Sequence, residues 1–155
     1  MTIYNEARKA GFDNINVDLM SALPYQTLDS YKETLYKIIE LNPEHISAYS
    51  LILEEGTCLC KKIEELEREG KETGLPDEDT ERNMYYETKT ILEEEGYFRY
   101  EISNYAKKGK ECKHNIAYWR RNDYIGLGIG AASYIEGVRM KNISDINEYI
   151  SIERV

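Results

Sequence analysis

Polar and apolar positions alternate over Asn14–Met20, where Ile15, Val17 and Leu19 are separated by polar residues, and the run closes on ALPYQT. That pattern predicts a strand followed by a turn. Leu28, Tyr31, Leu35, Ile38 and Ile39 then recur at helical spacing, with Thr27 or Asp29 available as N-cap and Asn42-Pro43 as the stop. His45–Ile52 reads as a second strand. The three elements make a βαβ unit, whose strands are expected to lie parallel with a right-handed crossover. Upstream, Tyr4–Ala10 reads as the end of a helix, because ARKA places two cations in a last turn just before Gly11.

Beyond LEEGT, Cys58–Glu69 reads as a charged helix, and LPDEDT opens another in which Met84, Thr88, Ile91 and Leu92 share a face until Gly96. Tyr97–Ile102 follows as a strand. A polar, basic stretch then leads through HNIAYWRR to a glycine-spaced strand, YIGLGIGAASYI, over 124–135. Glu136-Gly137 predicts a hairpin into VRMKNI, and Ser144 is placed to cap a short helix, Asp145–Glu153. The order, βαβααβ and then a mostly β tail, is that of an α/β protein. The pattern contains no repeat, low-complexity tract or linker.

Composition narrows the function classes. The 155 residues carry a formal net charge of -9, which argues against a general nucleic-acid or anionic-membrane surface, since both need a broad positive field. No stretch approaches the ~20 apolar residues of a membrane span, and MTIYNEARKAGF has no basic-then-apolar signal pattern. A cytoplasmic protein is expected. Three cysteines, Cys58, Cys60 and Cys112, are too few for a disulfide framework and lack the common zinc or ferredoxin spacings, so they read as free thiols.

Two places hold candidate chemistry. Asp18 lies near the C-terminal end of a predicted parallel strand, where ligands gather in α/β proteins; a carboxylate there accepts hydrogen bonds from a ribose diol, caps a turn or pairs with a cation. Lys107–Arg121, KKGKECKHNIAYWRR, carries six cations against one acid in an otherwise acidic chain. If this segment turns helical, Tyr118 lies four residues after His114 and shares its face, so that a nitrogen ligand and an aromatic wall would flank one planar molecule. Trp119 adds a second aromatic surface, and cations such as Arg120 and Arg121 suit carboxylates on that molecule. The plainer reading is a solvated basic loop with a core tryptophan. GLGIGAAS has no helix after it and is not a dinucleotide fingerprint; glycines in such a run mark a bulge or a close backbone approach. Glu54 and Glu55 follow a strand as candidate paired acids, but adjacent strand residues point to opposite faces and no partner is specified; the acidic run Glu64–Glu69 reads as a solvated helix face.

In combination, GFDNINVDLMSALPYQT (11–27), LNPEHISAYSLILEEGT (41–57), LPDEDTERNMY (75–85), GYFRYEISNYAKKGKECKHNIAYW (96–119) and YIGLGIGAASY (124–134) resemble the radical S-adenosylmethionine family of oxygen-independent coproporphyrinogen III oxidase-like proteins. HNIAYW is similar to the HNxxYW motif of the HemW-type haem-chaperone branch. The resemblance implies the later part of an incomplete parallel (β/α) barrel over residues 1–103, and a small β-containing C-terminal segment over 104–155. It implies that Asp18 contacts the ribose of S-adenosylmethionine, that the backbone near Ile52 lines the same pocket, and that His114 is associated with haem and its iron. The implied function is haem binding and delivery to client proteins; the alternatives are a piece of a porphyrinogen oxidase or a remnant without function.

Three features depart from that family's pattern. The cysteine triplet that holds its 4Fe-4S cluster does not occur here, so the chain is not expected to cleave the cofactor alone. Ala22 and Tyr25 replace the glycines of xGLPGQT, and Ala132 stands where the chaperone branch has His. The chain reads as a truncated product or an excised segment whose missing N-terminal part would cover the open side of the sheet, an aggregation hazard otherwise.

Overall fold

A computed structural model describes residues 2–152; the C-terminal end of the expected last helix, Glu153, lies outside the described residues. The chain forms two compact units, Met1–Glu111 and Cys112–Val155. The boundary falls later than the expected one after residue 103, because Asn104–Ala106 is a strand of the first unit's sheet.

The first unit opens with helix α1 (Thr2–Lys9), which ends at Gly11 with φ 94°. Arg8 anchors it through a 2.7 Å ion pair with Glu44, whose carboxylate also accepts the Ile15 N–H. Strand β1 (Asn16–Ser21), helix α2 (Leu28–Glu40) and strand β2 (His45–Ser50) form the expected βαβ unit, with β1 and β2 parallel and Asp18 opposite Ser47. Thr27 is the N-cap of α2 and makes a reciprocal capping box with Ser30. Helix α3 (Cys58–Arg68) and helix α4 (Glu78–Glu94) follow, the latter capped by Asp77. The strand expected over Tyr97–Ile102 is corrected: a two-residue strand β3 (Phe98–Arg99) turns back into β4 (Asn104–Ala106). β4 runs antiparallel to β2, giving a mixed sheet of order β1-β2-β4-β3.

Helices α2 and α4 cover one face of this sheet. Leu19, Ile46 and Tyr105 from the strands meet Tyr31, Leu35, Met84, Ile91 and Leu92 from the helices, with Tyr97 completing the core. The predicted α4 face, Met84, Thr88, Ile91 and Leu92, is the buried one. Tyr31 Oη and Thr88 Oγ1 lie 2.6 Å apart between α2 and α4, and elsewhere in the core Tyr97 donates to the Pro43 carbonyl at 2.9 Å. Burial pushes the Tyr97 and Tyr105 phenols up to about 12. On the opposite face the register aligns Asn16 with His45, and Asp18 with Ser47 and Asn104, in two polar rows.

The second unit begins with helix α5 (Lys113–Trp119) and continues through a loop to strand β5 (Ala132–Ile135), strand β6 (Val138–Lys141) and helix α6 (Ile146–Ser151). The strand expected over 124–135 is corrected for its first part: only Tyr124 bridges, to Tyr134, and 125–131 form a loop. Gly128 and Gly130 have φ of 99° and 64°, and Asn142 Nδ2 donates to the Gly126 and Gly128 carbonyls, so a side chain closes what a ladder would otherwise pair. The hairpin stands as predicted, with Glu136 (φ 51°) and Gly137 (φ 83°) both left-handed as a two-residue turn requires. Asp145, not Ser144, caps α6. Among the described residues no helix is long and apolar enough to cross a membrane.

Candidate functional sites

Asp18 is the third residue of β1, so it lies mid-strand rather than at the strand end. It is exposed on the sheet face away from the helices. Asn16 Nδ2 donates to its Oδ1 at 2.7 Å, while Oδ2 makes no hydrogen bond among the described residues. Around it the polar rows are tightly bonded. His45 Nδ1 lies 2.6 Å from Asn16 Oδ1, its Nε2 lies 2.7 Å from the Tyr100 hydroxyl, and Ser47 Oγ donates to Asn16 Oδ1 at 3.1 Å. Burial lowers the His45 pKa, although Asp18 and Glu101 oppose it. At the end of the Asp18 row, Asn104 is only 5% exposed and its Nδ2 donates to Glu101, yet its Oδ1 has no partner among the described residues. A buried acceptor in that condition is open to a donor from water or a ligand. Ile52 lies in the loop past β2 with its side chain 78% exposed, next to Leu51, whose N–H bonds the Ser21 carbonyl at the end of β1.

In the second unit the basic segment does turn helical, as α5. His114 and Tyr118 stack edge-on, with ring centroids 4.7 Å apart, and Tyr118 meets Tyr124 at 4.5 Å. Tyr124 in turn stacks on Tyr134 at 6.3 Å. Tyr118, Trp119, Tyr124 and Tyr134 line a cleft of about 530 Å³ whose charged walls are Arg121 and Arg139. His114 is exposed, and its ring nitrogens make no hydrogen bond among the described residues.

Arg121 earns its place through the helix end. After α5, Arg121 N–H bonds the Tyr118 carbonyl and Asn122 N–H bonds the Ala117 carbonyl, a Schellman turn. The residue just past the C-cap Arg120 must be left-handed in such a turn, and this is Arg121, which has φ 55° where glycine is usual. A non-glycine residue held there is the kind of outlier that accompanies functional positions.

The structure therefore gathers Tyr118, Trp119 and Arg121 on the cleft wall and leaves both His114 and Arg120 off it, His114 touching the cleft only through its edge-on contact with Tyr118. Arg139, Tyr124 and Tyr134 escaped the sequence reading because they join the cleft only through the β5–β6 pairing and the Tyr124 bridge; the Glu136-Gly137 hairpin signal would have brought Arg139 opposite Tyr134. The expected cationic cluster is also divided. Lys107 belongs to the first unit, where its Nζ bonds Asn42 Oδ1 at 2.6 Å and lies over the Tyr97 ring.

No family model matches the sequence. Curated relatives do. The chain is 42% identical over 143 residues to the "Heme chaperone HemW" of Lactococcus lactis, covering 92% of this chain and 36% of that protein. It is 40% identical over 151 residues to the protein of the same name in Bacillus subtilis, covering 97% and 38%. A zebrafish relative, "Radical S-adenosyl methionine domain-containing protein 1, mitochondrial", is 39% identical over 127 residues, 82% of this chain and 28% of that one. Among solved structures, Escherichia coli coproporphyrinogen III oxidase (HemN), a radical SAM enzyme, superimposes with a TM-score of 0.70 over 94% of this chain and 35% of that one, at 24% identity, a likeness of fold. The chain is a sequence relative of the HemW-type haem chaperones and corresponds to a segment of about a third of their length.

Proposed function

We propose that this chain is the haem-handling later part of a HemW-type protein: the end of a partial (β/α) barrel followed by the start of a C-terminal domain, working in the cytoplasm. The observation that carries the proposal is His114, exposed and without a hydrogen bond among the described residues, its ring edge-on to Tyr118, which lines an aromatic cleft walled by two arginines. Neutral imidazole is a strong iron ligand. The aromatic rings offer apolar cover to a macrocycle, and Arg121 and Arg139 meet the negative charge of its propionates in a protein whose net charge would otherwise repel them.

In the first unit, the exposed Asp18 carboxylate, whose Oδ2 makes no hydrogen bond among the described residues, fits a ribose diol of S-adenosylmethionine, with the Ile52 backbone in the loop past the neighbouring strand β2. The fit for a 4Fe-4S cluster is different. Cys58 is exposed, Cys60 is buried and directs its thiol at Glu64 Oε1, and Cys112 belongs to the second unit; hydrogen bonding to Glu64 and burial push the Cys60 thiol up. These cysteines do not fit a cluster. Free thiols fit a reducing compartment.

Haem titration followed by absorption tests the reading. A Soret band that shifts or disappears in His114→Ala is expected, with weaker binding in Arg121→Ala and Arg139→Ala, more so at low salt. An unchanged spectrum and affinity in His114→Ala overturns it.

A further inference from the structure

The polar face of the first unit contains a hydrogen-bond chain whose direction is forced link by link. Asp18 presents a carboxylate, which only accepts, so the Asn16 atom 2.7 Å away must be the amide nitrogen. That fixes Asn16 Oδ1 on the other side, where it faces His45 Nδ1 at 2.6 Å and the Ser47 hydroxyl at 3.1 Å. An amide oxygen only accepts, so His45 carries its proton on Nδ1. In the neutral ring Nε2 is then the acceptor, and the Tyr100 hydroxyl, 2.7 Å away and edge-on to the imidazole, donates to it. The buried ring favours the neutral form that this arrangement needs. Reversing the Asn16 amide would set its oxygen against the Asp18 carboxylate and lose the charge-assisted link.

We infer that Tyr100, His45 and Asn16 are positioning residues that hold the Asp18 carboxylate with one oxygen bound and the other presented to a ligand's cis-diol. The inference rests on the proposed role of Asp18 and deepens it. Register supports it, since Asn16 and His45 face each other in the row immediately before Asp18 and Ser47. Each link is a neutral-ring or amide bond except the last, which is charge-assisted and the strongest of the set. A fixed carboxylate binds a diol without first losing rotamer freedom.

Nitrogen NMR of the unsubstituted chain reads the tautomer without any substitution. The expected result is a protonated Nδ1 and an unprotonated Nε2 near neutral pH, relaxing toward a mixture in Asn16→Leu, which removes the oxygen that holds the proton on Nδ1; protonation on Nε2 overturns the chain. S-adenosylmethionine titrated at millimolar concentration reads the positioning. Binding about tenfold weaker in Asn16→Leu and His45→Leu, partly restored in His45→Gln, whose amide offers a donor and an acceptor, is expected. Unchanged affinity in Asn16→Leu overturns the positioning role. Absent saturable binding, or binding that Asp18→Asn leaves unchanged, overturns the ligand reading of Asp18 instead, while the tautomer still reports on the chain.

Discussion

Arg121 holds a left-handed backbone at the end of α5, which costs a side-chain-bearing residue about 1–2 kcal/mol relative to glycine. Arg121→Gly is therefore expected to raise the stability of the second unit by up to about 1 kcal/mol, after the extra unfolded-state freedom of glycine is offset. Haem binding should weaken in the same variant. Thermal unfolding and haem titration, run side by side, check both; a variant that is less stable and binds haem normally rejects the trade. His45 makes a second residue-scale prediction. Its pKa is lowered by burial from 6.5, so below about pH 6.5 the unfolded chain takes up a proton that the folded one refuses. The stability contributed by His45 is whole above that pH and is lost as the pH falls. Burial opposes charge on Glu44, yet bonds from Ile15 and Arg8 hold its pKa below 4.5, so its own contribution is lost only at lower pH. Urea unfolding between about pH 7 and about pH 5 thus isolates His45, and His45→Gln should flatten the slope; an unchanged slope assigns it elsewhere.

Among the elements, α2 and α4 join through one buried polar contact, Tyr31 with Thr88, inside an apolar seam. Thr88→Val keeps the shape and strands the Tyr31 hydroxyl, and a buried group left unsatisfied costs about 1–3 kcal/mol. The companion Tyr31→Phe with Thr88→Val should recover much of that loss in denaturant unfolding; equal losses in the single and double variants reject the pairing. These two helices were legible in the sequence because their apolar positions recur every three to four residues and Thr27 marks the start of α2. The β3–β4 return was not, because its short strands are set by pairing with β2, far away in the chain, while Tyr97–Ile102 by itself looks like one continuous run. The loop over 125–131 misled for a related reason. Its glycines answer to Asn142 and to the Ala132 carbonyl, which would stand 2.1 Å from a Cβ at Gly126, and neither contact is visible in local periodicity. Likewise His114 and Tyr118 were legible from their spacing of four, whereas Arg139 needed the hairpin. At the turn 22–25 the sequence did speak: Ala22 and Tyr25, read as substitutes for glycine, both hold left-handed φ, 60° and 63°.

For the molecule as a whole, the sheet of the first unit ends on β1, which has a strand neighbour only on the β2 side. Its other edge carries N–H and C=O groups that no strand among the described residues pairs, and an open edge is a template for a second copy. Two features oppose that outcome: the formal net charge of -9, and Asp18, whose carboxylate stands on the strand's exposed face. Both act through electrostatics that salt screens within about 10 Å at 0.1 M. Self-association is accordingly expected to increase with protein concentration and with salt, as read by sedimentation velocity. Met20→Lys separates the edge from bulk repulsion. Met20 is 43% exposed on the same face as Asp18, so a lysine there burdens edge pairing. It also makes the net charge less negative, which by itself favours association. A fall in association in Met20→Lys therefore identifies β1 as the contact, whereas a rise, or a chain that stays monomeric at every concentration and salt, rejects the edge as the adhesive surface.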